Sequence, residues 1–490
     1  MKTLASAMVV LAVGGPSAAM AADVLTYHNG NARHGAYIEP TLTQTAAATM
    51  KLDTGFNGSV SGNVYAQPLF WHPKGGAAVV IVATENNQVS ALDSATGATV
   101  WSVQLPASVP NSALPCGNIN PEGITGTPVI DRTTGTLYLD LLTLVSGAPK
   151  HRLYALNLNN KGATLPGWPI DVDTATAGTG FSSYTQGERS AALLFEGSVY
   201  FTYGGRSGDC GTYHGAVIQI DPATQKLVGS WLTRAHGGGI WSQGGISSDG
   251  KSLFTTTGNT MGANNVWGDG EAILRLKPGL AHSTNIADYY APSNWQTLDN
   301  DDADLGGTEA LPLAAHQAGT TTQRVIAFGK DGNAYLANLN KLGGIGGQID
   351  IASVSNSEII TAPVVYETKT TTMVGFNNGA GKNCSGNDIT MLNIVPTGSS
   401  PITPAWCAGL NGRGSPIITT TDGTNNPILW VVGAEGDNEL HGFNAKTGAV
   451  LSSGAGAALQ GLHHFQTLIA AEGRLYVAGD NKLYAYTYTP

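Results

Sequence analysis

The chain has few charged residues: they make up 12% of its 490 positions, against about 25% in an average soluble domain. Lys and Arg number 24 and Asp and Glu number 34, so the formal net charge is −10 with neutral histidines. Nucleic acids bind to surfaces with an excess of basic side chains, and this mildly acidic balance argues against such a partner. Hydrophobic residues account for 42% of the chain, which is enough for a large core and excludes global disorder.

Long apolar runs are also missing, except at the start of the chain. Lys2 is followed by an apolar stretch over residues 4–13 and by small residues that end in A-M-A at 19–21. This is the order of a secretory signal peptide, and the apolar stretch is too short for a bilayer, which needs about 20 residues. We therefore expect a signal peptide at residues 1–21 and a periplasmic or secreted mature protein without a membrane span.

Cysteine is scarce, with four residues in the whole chain: Cys116, Cys210, Cys384 and Cys407. Four cysteines suit an oxidising compartment and allow three pairings. We favour Cys384 with Cys407 and Cys116 with Cys210. No C-x-x-C or C-x-x-C-H motif occurs, so neither a zinc site nor covalently bound haem is supported.

Glycine, in contrast, is abundant, with 65 residues, and it punctuates a repeated pattern. Residues 79–105 read as an apolar strand, a polar turn, an alternating strand, an Asp-x-x-x-Gly turn and a strand that contains Trp101. We recognise eight versions, and a period of roughly 50 to 60 residues built of short strands is typical of a propeller. The sequence predicts an all-β, eight-bladed β-propeller of four-stranded antiparallel blades, as one domain over residues 22–490.

The two ends of the repeat array are incomplete. The last copy stops at Tyr488 without a fourth strand, and an unassigned strand candidate, Met50–Phe56, precedes the first copy. Pairing of these N- and C-terminal strands would close the ring and remove the exposed sheet edges of an open array. An open solenoid and a pair of sandwiches are the alternatives. Trp101, Trp168 and Trp231 end strands of successive units, so we expect them to pack between blades.

Carboxylates concentrate in one short segment, residues 299–304, which contains four Asp residues. So many carboxylates repel one another unless they are solvated or bridged by a cation, and hard oxygen ligands of this kind suit calcium. The spacing does not fit an EF-hand loop. A solvated loop, a calcium site and a catalytic site remain open for this segment.

The repeat motif A-L-D-x-x-T-G-x-x-x-W at residues 91–101 resembles the tryptophan-docking repeat of the quinoprotein alcohol dehydrogenase-like superfamily. These are eight-bladed propellers that include the pyrroloquinoline quinone (PQQ) dehydrogenases. The resemblance covers nearly the whole mature chain. Segments such as TYHNGNARHG, GITGTPVID and ADLGG are similar to a subgroup of exported PQQ-like propeller proteins whose role is mostly unassigned.

The resemblance also implies a set of site residues. The dehydrogenases place the quinone on the propeller axis above a tryptophan, with calcium held by Glu, Asn and Asp, an Asp as base, and Lys or Arg at the quinone oxygens. Transferred to this sequence, the roles fall on Trp241 as the floor, Asn259 as a calcium ligand, Asp302 as base and calcium neighbour, Lys330 at the quinone oxygens, Cys116 above the quinone, and Asp209 as the carboxylate nearest to the place of the calcium Glu.

Two functions follow from the resemblance. The first is an exported, monomeric oxidoreductase that uses PQQ and calcium to oxidise an alcohol, polyol or sugar hydroxyl and passes the electrons to a separate acceptor. The second is a non-enzymatic envelope scaffold or glycan-binding propeller that has lost the cofactor. The second is favoured by two departures from the family pattern, because Cys116 is followed by Gly117 instead of a second cysteine and the calcium Glu has no clear equivalent. A lyase or hydrolase with an axial carboxylate pair is a third interpretation.

Overall fold

The computed structural model describes residues 23–262, 265–277, 279–314, 322–379, 381–382, 384, 388–396 and 398–490. The expected signal peptide at 1–21 lies outside these described residues. Within them, the strands form eight sheets of four or five strands and one two-stranded ribbon. Inner strands of neighbouring sheets contact one another, as Leu193–Phe195 does with Val129–Asp131 on one side and with Ile246–Ser248 on the other. The eight sheets confirm the predicted eight-bladed propeller.

The strands in the first half of the chain are β1 (Ala36–Ile38), β2 (Lys51–Leu52), β3 (Gly58–Ser59), β4 (Leu69–Trp71), β5 (Val79–Ala83), β6 (Gln88–Asp93), β7 (Thr99–Gln104), β8 (Val129–Asp131), β9 (Thr136–Val145), β10 (Ala148–Asn157), β11 (Ala163–Thr164), β12 (Ile170–Asp171), β13 (Gln186–Gly187), β14 (Leu193–Phe195), β15 (Ser198–Gly205), β16 (Ala216–Asp221), β17 (Lys226–Leu232), β18 (His236–Gly237) and β19 (Ile246–Ser248).

The remaining strands are β20 (Leu253–Thr257), β21 (Thr260–Met261), β22 (Ala272–Leu276), β23 (Tyr289–Ala291), β24 (Leu311–Leu313), β25 (Arg324–Phe328), β26 (Asn333–Asn338), β27 (Gly344–Ile345), β28 (Asp350–Ser353), β29 (Val364–Glu367), β30 (Thr372–Asn377), β31 (Ile389–Ile394), β32 (Ile402–Ala408), β33 (Ile417–Thr420), β34 (Ile428–Val432), β35 (Leu440–Asn444), β36 (Val450–Ser453), β37 (Leu468–Ala471), β38 (Arg474–Gly479) and β39 (Lys482–Thr487). The helices are α1 (Gln44–Ala47), α2 (Val172–Ala175) and α3 (Trp295–Asp301), with 3-10 turns at Tyr27–Asn29, Asn111–Ala113, Leu158–Asn160 and Leu305–Gly307. No helix in the described ranges is long and apolar enough to cross a bilayer.

The blades run from an inner to an outer strand, and their strands pair antiparallel except for the parallel pairs β1–β33 and β23–β27. Their members are β4–β7 (blade 1), β8–β12 (blade 2), β13–β17 (blade 3), β19, β20, β22, β23 and β27 (blade 4), β24–β26 and β28 (blade 5), β29–β32 (blade 6), β1 and β33–β36 (blade 7), and β2, β3 and β37–β39 (blade 8). The inner strand β5 reads VVIVA and is buried throughout, because both of its faces pack against other blades. The outer strand β7 reads TVWSVQ and is largely exposed.

The ring closes as the sequence predicts. The short strand β2 pairs antiparallel with β39, with Lys51 opposite Thr487 and Leu52 opposite Tyr486. Strand β3 extends the same pairing. The N-terminal part of the chain therefore supplies the outer strands of blade 8 and closes the ring.

Neighbouring blades are held together where a tryptophan of one blade packs on a glycine turn of the next. Trp101 of blade 1 lies so close to Gly162 of blade 2 that a Cβ there would come within 2.8 Å of the indole ring. Trp406 of blade 6 makes the equivalent contact with Gly448 of blade 7 and donates its indole N–H to Ala445 O at 2.8 Å. Both glycines have a positive φ, near +75°, which only glycine adopts easily. The predicted inter-blade role of Trp101 is confirmed.

The N-terminal segment 23–39, which we call the girdle, contacts every blade in turn. Its partners from blade 1 to blade 8 are Phe70, Ile130, Leu194, Ser248, Pro312, Val365, Ile418 and Gly473. Tyr27 of the girdle packs between Ala191 of blade 3 and Ala362 of blade 6, which lie on nearly opposite sides of the ring. The girdle therefore crosses the axis and ties the blades together.

Both disulfides favoured from the sequence are present. Cys116–Cys210 joins the loop before blade 2 to a loop of blade 3, with a sequence separation of 94. Cys384–Cys407 joins the loop before β31 to β32 within blade 6, with a sequence separation of 23.

Candidate active site

A polar cavity of about 240 Å³ lies where the loops of blades 3, 4 and 5 converge. Five of the six residues predicted for the site line this cavity. These are Asp209, Trp241, Asn259, Asp302 and Lys330. They come from three different blades and are up to 121 positions apart in the sequence (330 minus 209), so their convergence is a property of the fold.

Trp241 lies in the segment that enters blade 4 and presents its indole ring to the cavity. The ring approaches the backbone closely, because a Cβ at Gly258 would lie 3.2 Å from the indole nitrogen and 2.3 Å from Asp304 Oδ1. Only glycine allows this approach. The Lys330 ammonium lies 5.3 Å from the centroid of the Trp241 ring, within the range of a cation–π interaction.

Lys330 occupies the turn between β25 and β26 and forms two ion pairs. Its Nζ lies 2.6 Å from Asp304 Oδ2 and 3.1 Å from Asp302 Oδ1. Burial of Lys330 favours the neutral amine, but the attraction of Asp304 and Asp302 outweighs burial and raises the Lys330 pKa above its ordinary value. The site therefore holds a permanent ammonium at neutral pH.

Asp304 is the better buried of the two carboxylates, with 4% of its side chain exposed. Its Oδ1 accepts the Asn259 N–H at 2.6 Å. Burial raises the Asp304 pKa, although Lys330 and this hydrogen bond oppose the rise. The sequence drew attention to the D-x-D pattern but assigned a role only to Asp302, because spacing alone does not show which carboxylate points inward.

Asp302 follows α3 and has a left-handed backbone, with φ of 52°. Its side chain is 64% exposed, and its Oδ1 accepts a hydrogen bond from the Lys330 ammonium at 3.1 Å. The predicted base is thus at the site, on its outer side.

The acidic segment 299–304 divides its carboxylates among different partners. Asp299 accepts hydrogen bonds from the Thr260 N–H and hydroxyl, both at 2.7 Å, while Asp302 and Asp304 share Lys330. In the part of the chain that the structure describes, no three His, Cys, Asp or Glu side chains form a group that could hold a metal ion. The predicted calcium ligands Asn259, Asp302 and Asp209 all line the same cavity.

Asp209 lies on the other side of the cavity, in the loop that follows β15. The Tyr213 hydroxyl donates to Asp209 Oδ1 at 2.6 Å, and burial together with Asp209 raises the Tyr213 pKa. The Cys116–Cys210 disulfide anchors this loop, since a Cβ at Gly208 would lie 3.5 Å from Cys116 Sγ. Cys116 itself does not line the cavity.

Two arginines at the site had no signal in the sequence. Arg206 is already satisfied, because it pairs with Glu122 and donates to the carbonyl oxygens of Ser183 and Gln186. Arg189 donates to Asn118 Oδ1 at 3.3 Å and forms no ion pair with any described carboxylate, and burial lowers its pKa. Its guanidinium is therefore a cation available to an anionic ligand.

Glu271 is a further buried carboxyl next to the site. Its Oε2 accepts the Leu305 N–H at 2.5 Å, while its Oε1 has no partner among the described residues. Burial, reinforced by the charge of Asp304, raises its pKa well above the ordinary value. Through the Leu305 N–H, Glu271 supports the loop that carries Asp304.

Comparisons with known proteins find similarity in structure alone. No protein-family model matches the sequence, and no curated protein matches it. Among solved structures, quinohemoprotein alcohol dehydrogenase from Comamonas testosteroni is 14% identical, with a TM-score of 0.64 over 95% of this chain and 80% of that one. A europium-containing methanol dehydrogenase is 15% identical, with a TM-score of 0.61 over 93% and 89% of the two chains. BamB from Moraxella catarrhalis is 15% identical, with a TM-score of 0.51 over 89% and 99%.

At such low identity these similarities concern the fold and leave the activity open. The eight blades, the tryptophan docking and the closure of the ring agree with the resemblance seen in the repeat motif. The chain has the eight-bladed propeller fold of the quinoprotein alcohol and methanol dehydrogenases.

Proposed function

We propose that the protein is an exported quinoprotein-type oxidoreductase that oxidises a hydroxyl group of an alcohol, polyol or sugar with PQQ. The observation that carries the proposal is the Lys330 ammonium, set 5.3 Å from the Trp241 ring and paired with two carboxylates inside one cavity. An indole face beside a fixed cation suits a flat, anionic ring system.

The residues fit PQQ, which is a flat tricarboxylate. Trp241 offers a surface for stacking, and Arg189 offers a guanidinium without a carboxylate partner in the described chain. Lys330 is held where it can donate to a ligand oxygen that gains negative charge. When bound, PQQ would supply the hydride acceptor that the side chains of this protein lack.

The protein's own groups would handle the proton. Oxidation of a hydroxyl removes a hydride from carbon and a proton from oxygen, and Asp302 is the exposed carboxylate at the mouth of the cavity. Lys330 orients this carboxylate through the 3.1 Å contact. We propose Asp302 as the general base, with Lys330 stabilising the negative charge that develops on the ligand.

Calcium stays part of the proposal as a ligand to be tested. Asn259, Asp302 and Asp209 supply amide and carboxylate oxygens around the cavity, the donor type that calcium prefers. Lys330 neutralises part of the same charge, so we expect calcium to bind weakly in the absence of the cofactor.

The first test is a calorimetric titration of the purified protein with PQQ, with and without calcium, followed by dye reduction with alcohols and sugars. We expect stoichiometric binding that Lys330→Met abolishes and that the exposed-residue control Lys226→Met keeps. Asp302→Asn should bind PQQ and lose at least about a hundredfold in turnover, while the adjacent Asp301→Asn keeps it. Absence of PQQ binding by the folded protein in both conditions would overturn the proposal in favour of the scaffold or glycan-binding alternative.

A further inference from the structure

Phe465 has a backbone conformation that its residue type does not favour. It lies in the segment that enters blade 8, and its φ is 74°. The Gln466 N–H donates to His463 O at 3.1 Å, so Phe465 is the third residue of a turn. A positive φ at the third position of a turn is normally adopted by glycine, and a bulky residue there is a true outlier. The chain therefore has a phenylalanine where glycine would be less strained.

The surrounding backbone enforces this conformation. The Phe465 N–H donates to Arg413 O at 2.9 Å, and Phe465 O accepts the Ser415 hydroxyl at 3.0 Å. These hydrogen bonds fix the turn, but they involve only the main chain of Phe465 and would form equally well with glycine. Strained residues of this kind cluster at functional sites, so the contacts of the ring have to account for the side chain.

The ring of Phe465 contacts the Arg189 guanidinium. Arg189 Cζ lies over the ring at 5.8 Å from its centroid, within the range of a cation–π interaction. The two residues line one cavity together, and Arg189 also lines the candidate active site. Phe465 belongs to blade 8 and Arg189 to blade 3, so this contact joins two blades that are not neighbours.

Little else holds the Arg189 side chain in place. Its Nη2 donates to Asn118 Oδ1 at 3.3 Å, and this is its one side-chain hydrogen bond within the described residues. Nε and Nη1 have no partner there, and neither belongs to the buried atoms that lack one. Arg189 is only partly buried, so a ligand can reach these atoms. A cation–π contact uses none of the N–H groups, and the ring therefore fixes the guanidinium while Nε and Nη1 stay free to donate.

We infer that Phe465 is a positioning residue, whose ring holds the Arg189 guanidinium where it binds a carboxylate group of a flat polycarboxylate in the candidate active site. This inference rests on the proposed function, in which PQQ is such a ligand. Arg189 and Lys330 line the same cavity, so one ligand can pair with both cations. The strain at Phe465 is retained because the turn brings an aromatic ring to Arg189, which glycine would not supply.

The test is a calorimetric titration of the full mature chain with benzene-1,3,5-tricarboxylate, a flat tricarboxylate without redox chemistry, and with PQQ. Arg189→Met should raise both dissociation constants at least about tenfold, the effect of one lost charge-assisted hydrogen bond. Phe465→Leu should raise them about fivefold, which corresponds to a cation–π interaction of about 1 kcal/mol, and Phe465→Tyr should keep the wild-type affinity. Phe181→Leu, in the core between blades 2 and 3, is the matched control and should also keep it.

Phe465→Gly separates positioning from stability. Glycine relieves the strain of the positive φ, so the Tm of Phe465→Gly should be no lower than that of Phe465→Leu, although the whole side chain is removed. Its affinity for both ligands should be at least as weak as that of Phe465→Leu. A merely structural role would make affinity follow Tm across the variants. That result, or wild-type affinity in Phe465→Leu and Phe465→Gly, overturns the inference.

The outcomes distinguish this inference from the proposed function. Binding of benzene-1,3,5-tricarboxylate that depends on the Phe465 ring, without any PQQ-dependent dye reduction, keeps the role of Phe465 and overturns the oxidoreductase. PQQ-dependent oxidation with equal PQQ affinity in wild type and Phe465→Leu keeps the oxidoreductase and overturns the role of Phe465. A folded wild-type protein that binds neither ligand overturns both.

Discussion

Replacement of Lys330 by methionine tests the charge arrangement of the site without any ligand. The substitution keeps a long apolar side chain and removes the ammonium that lies 2.6 Å from the buried Asp304. Asp304 then retains the Asn259 N–H as its hydrogen-bond donor. Loss of one partner of a buried ion pair costs about 3 to 5 kcal/mol, and the partial exposure of Lys330, 18%, places the expected loss near the lower limit.

The loss should depend on pH in a defined direction. Burial already raises the Asp304 pKa in the folded protein, and without Lys330 that pKa rises further. A carboxyl whose folded pKa is raised destabilises the protein at high pH, and this penalty declines as pH falls through the folded pKa towards the unfolded value of about 3.9. The stability difference between wild type and Lys330→Met is therefore larger at pH 7.5 than at pH 5.

The measurement is thermal unfolding followed by circular dichroism at the two pH values. We expect Lys330→Met to lower the Tm by about 3 to 6 °C at pH 7.5 and by less at pH 5, while Lys226→Met leaves it unchanged. The double variant Lys330→Met/Asp304→Asn should recover most of the loss, because the uncompensated carboxylate is gone. An unchanged Tm in Lys330→Met, or a larger drop at pH 5 than at pH 7.5, would refute the ion pair.

Three further predictions concern the framework. Cys116→Ser should destabilise the protein more than Cys384→Ser in chemical denaturation, since the loops of 94 and 23 residues correspond to about 4.7 and 3.4 kcal/mol in the chain-entropy description; the reverse order would contradict it. Arg33→Met removes a fully buried guanidinium that donates to Thr26, Tyr27, Ala192 and Ile246. We therefore expect a lower Tm and faster proteolysis of the girdle. An unaltered digestion rate would argue against the role of the girdle in holding the blades together. Burial opposes the charge of His72, but hydrogen bonds to two carboxylates outweigh it and raise its pKa; His72→Gln should therefore lower the Tm at pH 6 and have a smaller effect at pH 8.5, whereas a pH-independent change would exclude this ion-pair network.

The fold could be predicted from the sequence because the blade motif recurs along the chain. Each copy repeats the same period of short strands and turns, so a wrong strand assignment in one copy does not change the predicted architecture. The closure through β2 followed from a missing strand at one end and an extra one at the other. The girdle could not be foreseen, because its contacts with eight blades depend on the path of an irregular segment that has no periodicity.

Most of the residues predicted from the sequence line the site, but the sequence did not show which of them form ion pairs with each other. The order of Trp241, Asn259, Asp302 and Lys330 matches the resemblance, and the fold brings all four to one cavity. The pairing of Lys330 with Asp304 was missed. Asp302 and Asp304 are two positions apart in the sequence, and only the folded backbone makes Asp304 buried and Asp302 exposed. The guanidinium of Arg189 was missed because a single Arg ahead of strand β14 matches no site motif of the resemblance.

The charges that line the candidate active site predict how its affinity for PQQ depends on calcium. Three carboxylates, Asp209, Asp302 and Asp304, and three cations, Lys330, Arg189 and Arg206, are found there in the described chain, and Arg206 is already neutralised by Glu122 outside the lining. The cavity is therefore slightly acidic before any ligand enters, and a tricarboxylate such as PQQ adds more negative charge. A divalent cation bound with it would restore the balance, so each should raise the affinity of the other by the same factor. PQQ titrations at several calcium concentrations measure that factor; an affinity that does not respond to calcium would show that Lys330 and Arg189 alone provide the positive charge.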